Sequence, residues 1–135
     1  MRKVVLIPDS FKGTMSSAEI CSIMAGAISA HFPDAEVVSL PVADGGEGSV
    51  DAFLAATGGE RVDEHVTGPF AGEHIASFYG RLPDGTAVIE MAAAAGLPLV
   101  DGRRAPARTT THGVGELMLD AVRAALPKVT VLADV

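Results

Sequence analysis

The chain has 135 residues, which suits one ordinary domain and excludes a large two-domain enzyme. Hydrophobic residues make up 48% of it and aromatic residues 4%, so we expect a globular core of Ala, Val, Leu and Ile rather than a disordered chain. The net charge of −7, with no basic stripe, argues against a nucleic-acid partner.

Cysteine content and hydropathy also restrict the protein class. Cys21 is the single cysteine, which excludes an internal disulfide and a zinc site built on thiolates. Pro8 interrupts the N-terminal apolar run too early for a signal peptide, and no segment approaches the length of a membrane span. We therefore predict a cytoplasmic protein with no membrane partner.

The first predicted unit is a strand, a loop and a helix. Residues 4–7 form an apolar run typical of a buried parallel strand, and Ser16 with Glu19 predicts a capping box at the helix start. Ser10 and Lys12 then lie in the loop after the strand, where open α/β sheets bind their ligands. Lys12 could hold a carboxylate or a phosphate, and a solvated loop lysine is the alternative interpretation.

A second strand is predicted over residues 36–40, and residues 43–49 follow it with two carboxylates among three glycines. Gly45, Gly46 and Gly48 allow the backbone to come close to a ligand, and a helix starting near Gly48 would present free N–H groups to an anion.

The alternative is an ordinary strand-to-helix turn. Asp44 would then cap the helix and Glu47 would favour its positive end. The two strand-to-helix loops are expected at the same sheet edge, so Lys12 and Asp44 should converge, and this favours a binding site.

These two loops carry a family resemblance. The runs Asp9-Ser10-Phe11-Lys12-Gly13 and Pro41-Val42-Ala43-Asp44-Gly45-Gly46-Glu47-Gly48 closely resemble the N-terminal signatures of bacterial glycerate kinases of the first type. The family uses ATP to phosphorylate D-glycerate. It more often has Met, Thr and Ser at positions 42, 49 and 14, which are mild differences that leave the charged and glycine positions intact.

The pattern changes after residue 60. Residues 75–82 and 86–91 flank Pro83-Asp84-Gly85 and predict a β-hairpin, so we expect a second, mixed α/β domain to begin near residue 61. The predicted fold class is thus a Rossmann- or flavodoxin-like β-α-β-α start with a parallel sheet (residues 1–60), followed by part of that second domain (residues 61–135). Glu90, at a strand end, is expected either to reach a ligand or to be solvated.

A third candidate segment precedes the last predicted helix. Thr109, Thr110 and Thr111 with Gly113 offer hydroxyl and N–H groups for an anion seat, and a Thr N-cap before a core helix is the alternative. The segment again resembles the glycerate kinases, which usually carry Tyr where this chain has His112.

The resemblance implies a kinase with ATP and Mg²⁺ as cofactors and D-glycerate as substrate. Lys12 and Asp44 are the candidate catalytic residues, with Asp44 either a proton acceptor or, together with Glu47, a ligand of Mg²⁺. The candidate substrate and phosphate ligands are Ser10, Gly45, Gly46, Gly48, Thr109, Thr110, Thr111 and Gly113.

The chain matches only the N-terminal part of that family's pattern. The alternative function is therefore a non-catalytic anion-binding fragment or a truncated gene product. If the first domain needs the missing return segment, we expect the isolated chain to self-associate through exposed sheet edges.

Overall fold

The structure is a computed structural model that describes residues 2–100, 102–103 and 105–133. The chain divides into two compact units, Met1–Asp44 and Gly45–Val135. Each unit combines helix with strand, and the elements follow the predicted order, which confirms the mixed α/β class.

The first unit is a β-α-β arrangement. Strands β1 (Arg2–Leu6) and β2 (Ala35–Ser39) pair in parallel, with helix α1 (Ser17–His31) between them in sequence. The predicted capping box is present, because the Ser16 side chain accepts from the Glu19 N–H at 3.2 Å and Glu19 Oε2 accepts from the Ser16 N–H at 2.8 Å. Because β1 and β2 run parallel, the loops that follow them lie at the same sheet edge.

One side of α1 is less covered than its apolar spacing predicts. Ile20 is buried, whereas Ile23 is 61% exposed and Met24 is 42% exposed. The reason is geometric, because the sheet that α1 covers has only two strands and is narrower than the apolar stripe of the helix.

The second unit is built on a four-stranded sheet in the order β3-β4-β5-β6, with antiparallel pairs except for β5 and β6, which are parallel. Its elements are α2 (Ser49–Thr57), β3 (Glu60–Thr67), β4 (His74–Arg81), β5 (Thr86–Glu90), α3 (Ala92–Ala95), two short 3₁₀ segments (Leu97–Val100 and Pro106–Arg108), α4 (His112–Arg123) and β6 (Lys128–Leu132). The β4–β5 pair is the predicted hairpin.

The core of the second unit lies between the sheet and α4. Tyr79, Ile89 and Leu117 are almost completely buried there. Met118 and Val122, which helical spacing groups with Leu117, are 41% and 60% exposed. The buried face of α4 is therefore narrower than its apolar face.

Helix α2 also belongs to the second unit, where Val50 is fully buried close to Gly80 of β4. The sequence had grouped this helix with β1 and β2. The domain boundary near residue 61 stays a prediction.

None of the helices in the described ranges is both long and apolar enough to cross a membrane.

Candidate functional site

The loops that follow β1 and β2 bring together a cation and a carboxylate. Lys12 Nζ lies 3.3 Å from Asp44 Oδ2, an ion pair inside the first unit between residues of the two loops. The convergence expected from the parallel strand pair is therefore found. Asp44 pairs with Lys12, and the cap residue of α2 is Gly48.

The pair contributes little to stability. The Lys12 side chain is 52% exposed and that of Asp44 is 38% exposed, and such ion pairs contribute about 0–1 kcal/mol. Both groups can be reached from solvent. Ser10, the third predicted residue of this group, is half-buried, and its N–H donates to Asp9 Oδ1 at 2.7 Å.

A buried serine joins the two loops. The Ser17 hydroxyl donates to the Pro8 carbonyl oxygen at 2.6 Å and accepts from the Val42 N–H at 3.0 Å. Ser17 is only 7% exposed, so losing either contact would leave a poorly solvated polar group. Sequence reasoning missed this residue because a serine at a helix start is typical of ordinary capping.

The glycine-rich turn, residues 45–48, has a backbone that glycine alone adopts easily. Gly45 has φ +104° and Gly48 has φ +87°, both in the left-handed region. Gly46 is buried, and its carbonyl accepts from the Ser49 N–H at 3.3 Å. The conformation of the turn accounts for Gly45 and Gly48 without a ligand.

A carboxylate of the protein occupies the start of α2. Glu90 Oε2 accepts from the Val50 N–H at 2.9 Å, and Oε1 accepts from the Gly48 N–H at 3.3 Å. The prediction of free N–H groups at this helix end is therefore wrong for both residues. The prediction that Glu90 is solvated at a sheet edge is also wrong, since it is 2% exposed.

Burial raises the pKa of the Glu90 carboxyl above its ordinary value, against the opposing effect of the Val50 and Gly48 N–H groups, and the negative charge of Asp51 adds to the rise. The signal that could have found this residue is a glutamate that ends an otherwise apolar strand, because a buried carboxylate must find donors.

Glu47, the second predicted metal ligand, is exposed. Among the described residues there is no group of three or more His, Cys, Asp or Glu side chains placed to hold a metal ion. Mg²⁺ is usually bound by one or two carboxylates together with waters and substrate phosphates, and a Mg²⁺ site at Asp44 and Glu47 stays a prediction. Asp44 and Glu47 supply two carboxylates within four positions of the chain.

The threonine segment before α4 is hydrogen-bonded to the distant residues Pro69 and Phe70 as well as to its own helix start. The Thr110 N–H donates to the Pro69 carbonyl at 2.8 Å, and its hydroxyl accepts from the His112 N–H at 3.1 Å. Thr109 forms an isolated bridge with Phe70, and Thr111, the cap residue of α4, makes no side-chain capping bond. Gly113 is buried against Thr67 of β3.

Comparison with known proteins places the chain in a family. The profile of the glycerate kinase family matches residues 4–132. The chain belongs to the glycerate kinase family.

Several family members are closely similar to this chain. Glycerate 2-kinase of Escherichia coli strain K12 is 48% identical over 122 residues, which is 89% of this chain and 32% of that protein. Glycerate kinase of Bacillus subtilis strain 168 is 48% identical over 118 residues, or 86% of this chain and 31% of that protein. The chain spans about a third of the length of these curated relatives.

A solved structure agrees with the fold. The crystal structure of a candidate glycerate kinase 2 from Salmonella typhimurium LT2 superposes with a TM-score of 0.70 at 41% sequence identity. The match covers 96% of this chain and 35% of that one.

Proposed function

We propose that this chain supplies the N-terminal part of an ATP-dependent kinase that phosphorylates D-glycerate. The observation that carries the proposal is the Lys12–Asp44 pair, a solvent-accessible cation and carboxylate at the carboxyl ends of adjacent parallel strands. Family membership supplies the reaction class, because the relatives are named glycerate kinases.

Phosphoryl transfer depends on positioning and charge neutralisation more than on covalent chemistry. Lys12 then binds an anion, either the glycerate carboxylate or the transferring phosphoryl group, and the half-buried Ser10 lies in the same loop to orient it. Asp44 accepts the proton of the attacking hydroxyl or holds Mg²⁺ together with Glu47. When bound, Mg²⁺ neutralises charge on the phosphate oxygens.

Thr109, Thr110 and Thr111 remain proposed anion ligands. These 135 residues contain no Walker motif, Gly-x-x-x-x-Gly-Lys-Ser/Thr, so an ATP site built from them would follow another geometry. Cytoplasmic localisation also stays a prediction.

The direct test is ATP consumption with D-glycerate and Mg²⁺. We would compare the 135-residue chain with a chimera in which the remainder of Escherichia coli glycerate 2-kinase follows it. We expect glycerate-dependent turnover in the chimera. If neither protein consumes ATP while the intact Escherichia coli enzyme does, the proposed function is wrong.

Two variants test the roles of Lys12 and Asp44 in whichever of the two proteins turns over glycerate. Asp44→Asn and Lys12→Ala should each lower kcat/KM by about 100-fold or more, because each removes charge needed in the transition state. Lys3→Ala is a matched control, since Lys3 forms a similar exposed ion pair with Glu36 at 3.1 Å in the same unit. Equal effects from Lys12→Ala and Lys3→Ala would remove Lys12 from the mechanism.

The alternative is a non-catalytic fragment that binds anions, and turnover in the chimera without turnover in the short chain would assign this role to the isolated chain.

We further propose that the isolated chain self-associates. Both strands of the two-stranded sheet present an open edge, and Val5 and Ile7 are 48% and 59% exposed. A sedimentation coefficient that rises with protein concentration would support this, and a constant monomer value would refute it.

A further inference from the structure

Glu90 is a buried carboxylate that the proposed mechanism does not use. It is the last residue of β5, a strand buried along its whole length, and it is 2% exposed. Its two oxygens accept from the N–H groups of Val50 and Gly48 at 2.9 and 3.3 Å. Placing a carboxyl group here is costly unless it is hydrogen-bonded, so these contacts are needed to keep it in place.

The two residues at the start of α2 do not cap the helix with their own side chains. Gly48 is the cap residue and has no side chain, and the Ser49 hydroxyl is buried without a hydrogen-bond partner among the described residues. Glu90 supplies side-chain acceptors for two N–H groups at the first turn of α2.

The same two hydrogen bonds make the glycine-rich turn unsuited to binding an anion through the N–H groups of Gly48 and Val50. The N–H groups of Gly48 and Val50 already have an acceptor, and a carboxylate beside them disfavours a second anion. Gly45 and Gly48 adopt the left-handed conformation, so they shape the chain between Asp44 and α2.

We propose that Glu90 is a positioning residue: by holding the N–H groups of Gly48 and Val50, it keeps the glycine-rich turn in the conformation that phosphoryl transfer requires. The turn follows Asp44 directly in the chain and contains Glu47, and the proposed mechanism uses both carboxylates. This inference rests on the proposed kinase function and assigns no ligand to Glu90 itself.

The first experiment follows the two amides by NMR in the wild-type chain. The Gly48 and Val50 amide proton shifts should change together with the titration of the Glu90 side-chain carboxyl, because both N–H groups bond to it. Exchange of these amides with solvent should become at least about tenfold faster in Glu90→Gln, whose amide nitrogen cannot accept a hydrogen bond. Unchanged shifts and unchanged exchange would overturn the proposal.

The second experiment measures kinetics in whichever form turns over glycerate. Glu90→Gln should lower kcat by about 10- to 100-fold while the KM values for glycerate and ATP stay within about twofold, because a displaced turn affects the transition state more than ground-state binding. A protein that is merely destabilised would instead lose active molecules in proportion to its unfolded fraction, which circular dichroism measures.

Asp84→Asn is the matched control. Asp84 also accepts a backbone hydrogen bond next to β5, from the Thr86 N–H at 2.9 Å, but at the other end of that strand. Its kcat should stay within about twofold of wild type. Faster amide exchange in Glu90→Gln with unchanged kcat would refute the positioning role.

The outcomes also separate the two proposals. If the wild-type chimera turns over nothing, the proposed function fails and the positioning role for phosphoryl transfer fails with it, whatever the amides show. If the wild type is active and Glu90→Gln is equally active, only the inference about Glu90 fails.

Discussion

Gly113 of α4 packs directly onto the Thr67 carbonyl oxygen of β3, so closely that a Cβ on Gly113 would clash with it. The Val66 side chain would also lie within 3.0 Å of that Cβ. Glycine at this position is therefore required by the approach of α4 to the sheet, independently of the predicted role in binding an anion.

The first prediction compares two glycines of α4. Gly113→Ala should destabilise the fold by about 1–3 kcal/mol, the usual cost of overpacking. Gly115→Ala should stabilise it by about 1 kcal/mol, because apart from its chain neighbours and its own helix backbone no described atom lies within 4 Å of its Cβ position, and alanine favours helix. Urea unfolding followed by circular dichroism measures the free energy of unfolding of both variants. If both substitutions stabilise the fold, or both destabilise it, the packing argument is contradicted.

The second prediction concerns Tyr79, the only tyrosine in the chain. Burial raises its pKa to about 12, helped by its hydrogen bond to Asp120 Oδ2 at 2.9 Å and by the charge of that carboxylate. The folded pKa lies above the unfolded value of 10.0, so the stabilisation is complete below pH 10.0 and is lost as the pH rises toward 12.

Absorbance of the phenolate measures this titration without interference from tryptophan, which the chain lacks. We expect a midpoint near 12 in the folded protein and near 10 in urea. Tyr79→Phe should remove this pH-dependent loss of stability. A single midpoint near 10 in both solvents would show that the phenol is not held as described.

The third prediction concerns Glu116, which accepts from the Thr67 N–H at 2.6 Å and from the Thr67 hydroxyl at 3.2 Å. The Thr67 N–H lowers the pKa of this carboxyl below its ordinary 4.5, and positive charge on His112 and His74 also lowers it. Its stabilisation is therefore present above pH 4.5 and is lost as the pH falls through the folded pKa.

Glu116→Gln should accordingly have a lower Tm than wild type at about pH 7, and the difference should shrink at about pH 3. Scanning calorimetry at the two pH values checks this. A Tm difference that does not change with pH would mean that the charge on Glu116 contributes nothing.

The fourth prediction concerns the hydroxyl that joins the loops of the first unit. Ser17→Ala should cost about 1–3 kcal/mol, since the Val42 N–H and the Pro8 carbonyl lose their buried partner. Ser16→Ala, at the adjacent N-cap, should cost only about 1 kcal/mol. In an active kinase Ser17→Ala should also lower kcat, whereas Ser16→Ala should leave it unchanged. The same kcat for both variants would show that the Ser17 contact between the loops does not affect catalysis.

The sequence predicted what depends on local pattern. The capping box of Ser16 and Glu19, the hairpin at Pro83-Asp84-Gly85 and the meeting of Lys12 with Asp44 all follow from spacing and from the geometry of parallel strands.

It could not predict contacts between residues distant in the chain. Glu90 reaches the start of α2 from a strand about 40 positions away, and no periodicity indicates which donors a buried carboxylate will find. The exposed flanks of α1 and α4 were missed for a related reason, because periodicity gives the apolar face of a helix but not the width of the surface that covers it.

The pairing of β5 has a consequence for the order of assembly. Its antiparallel partner β4 is joined to it by a short turn, whereas its parallel partner β6 requires Thr86 to meet Lys128 across the intervening helices. Closing a long loop costs more chain entropy than closing a hairpin, so the hairpin should form early and β6 should dock late. The second unit is thus expected to fold from its middle outward, with β6 docking after the hairpin has formed.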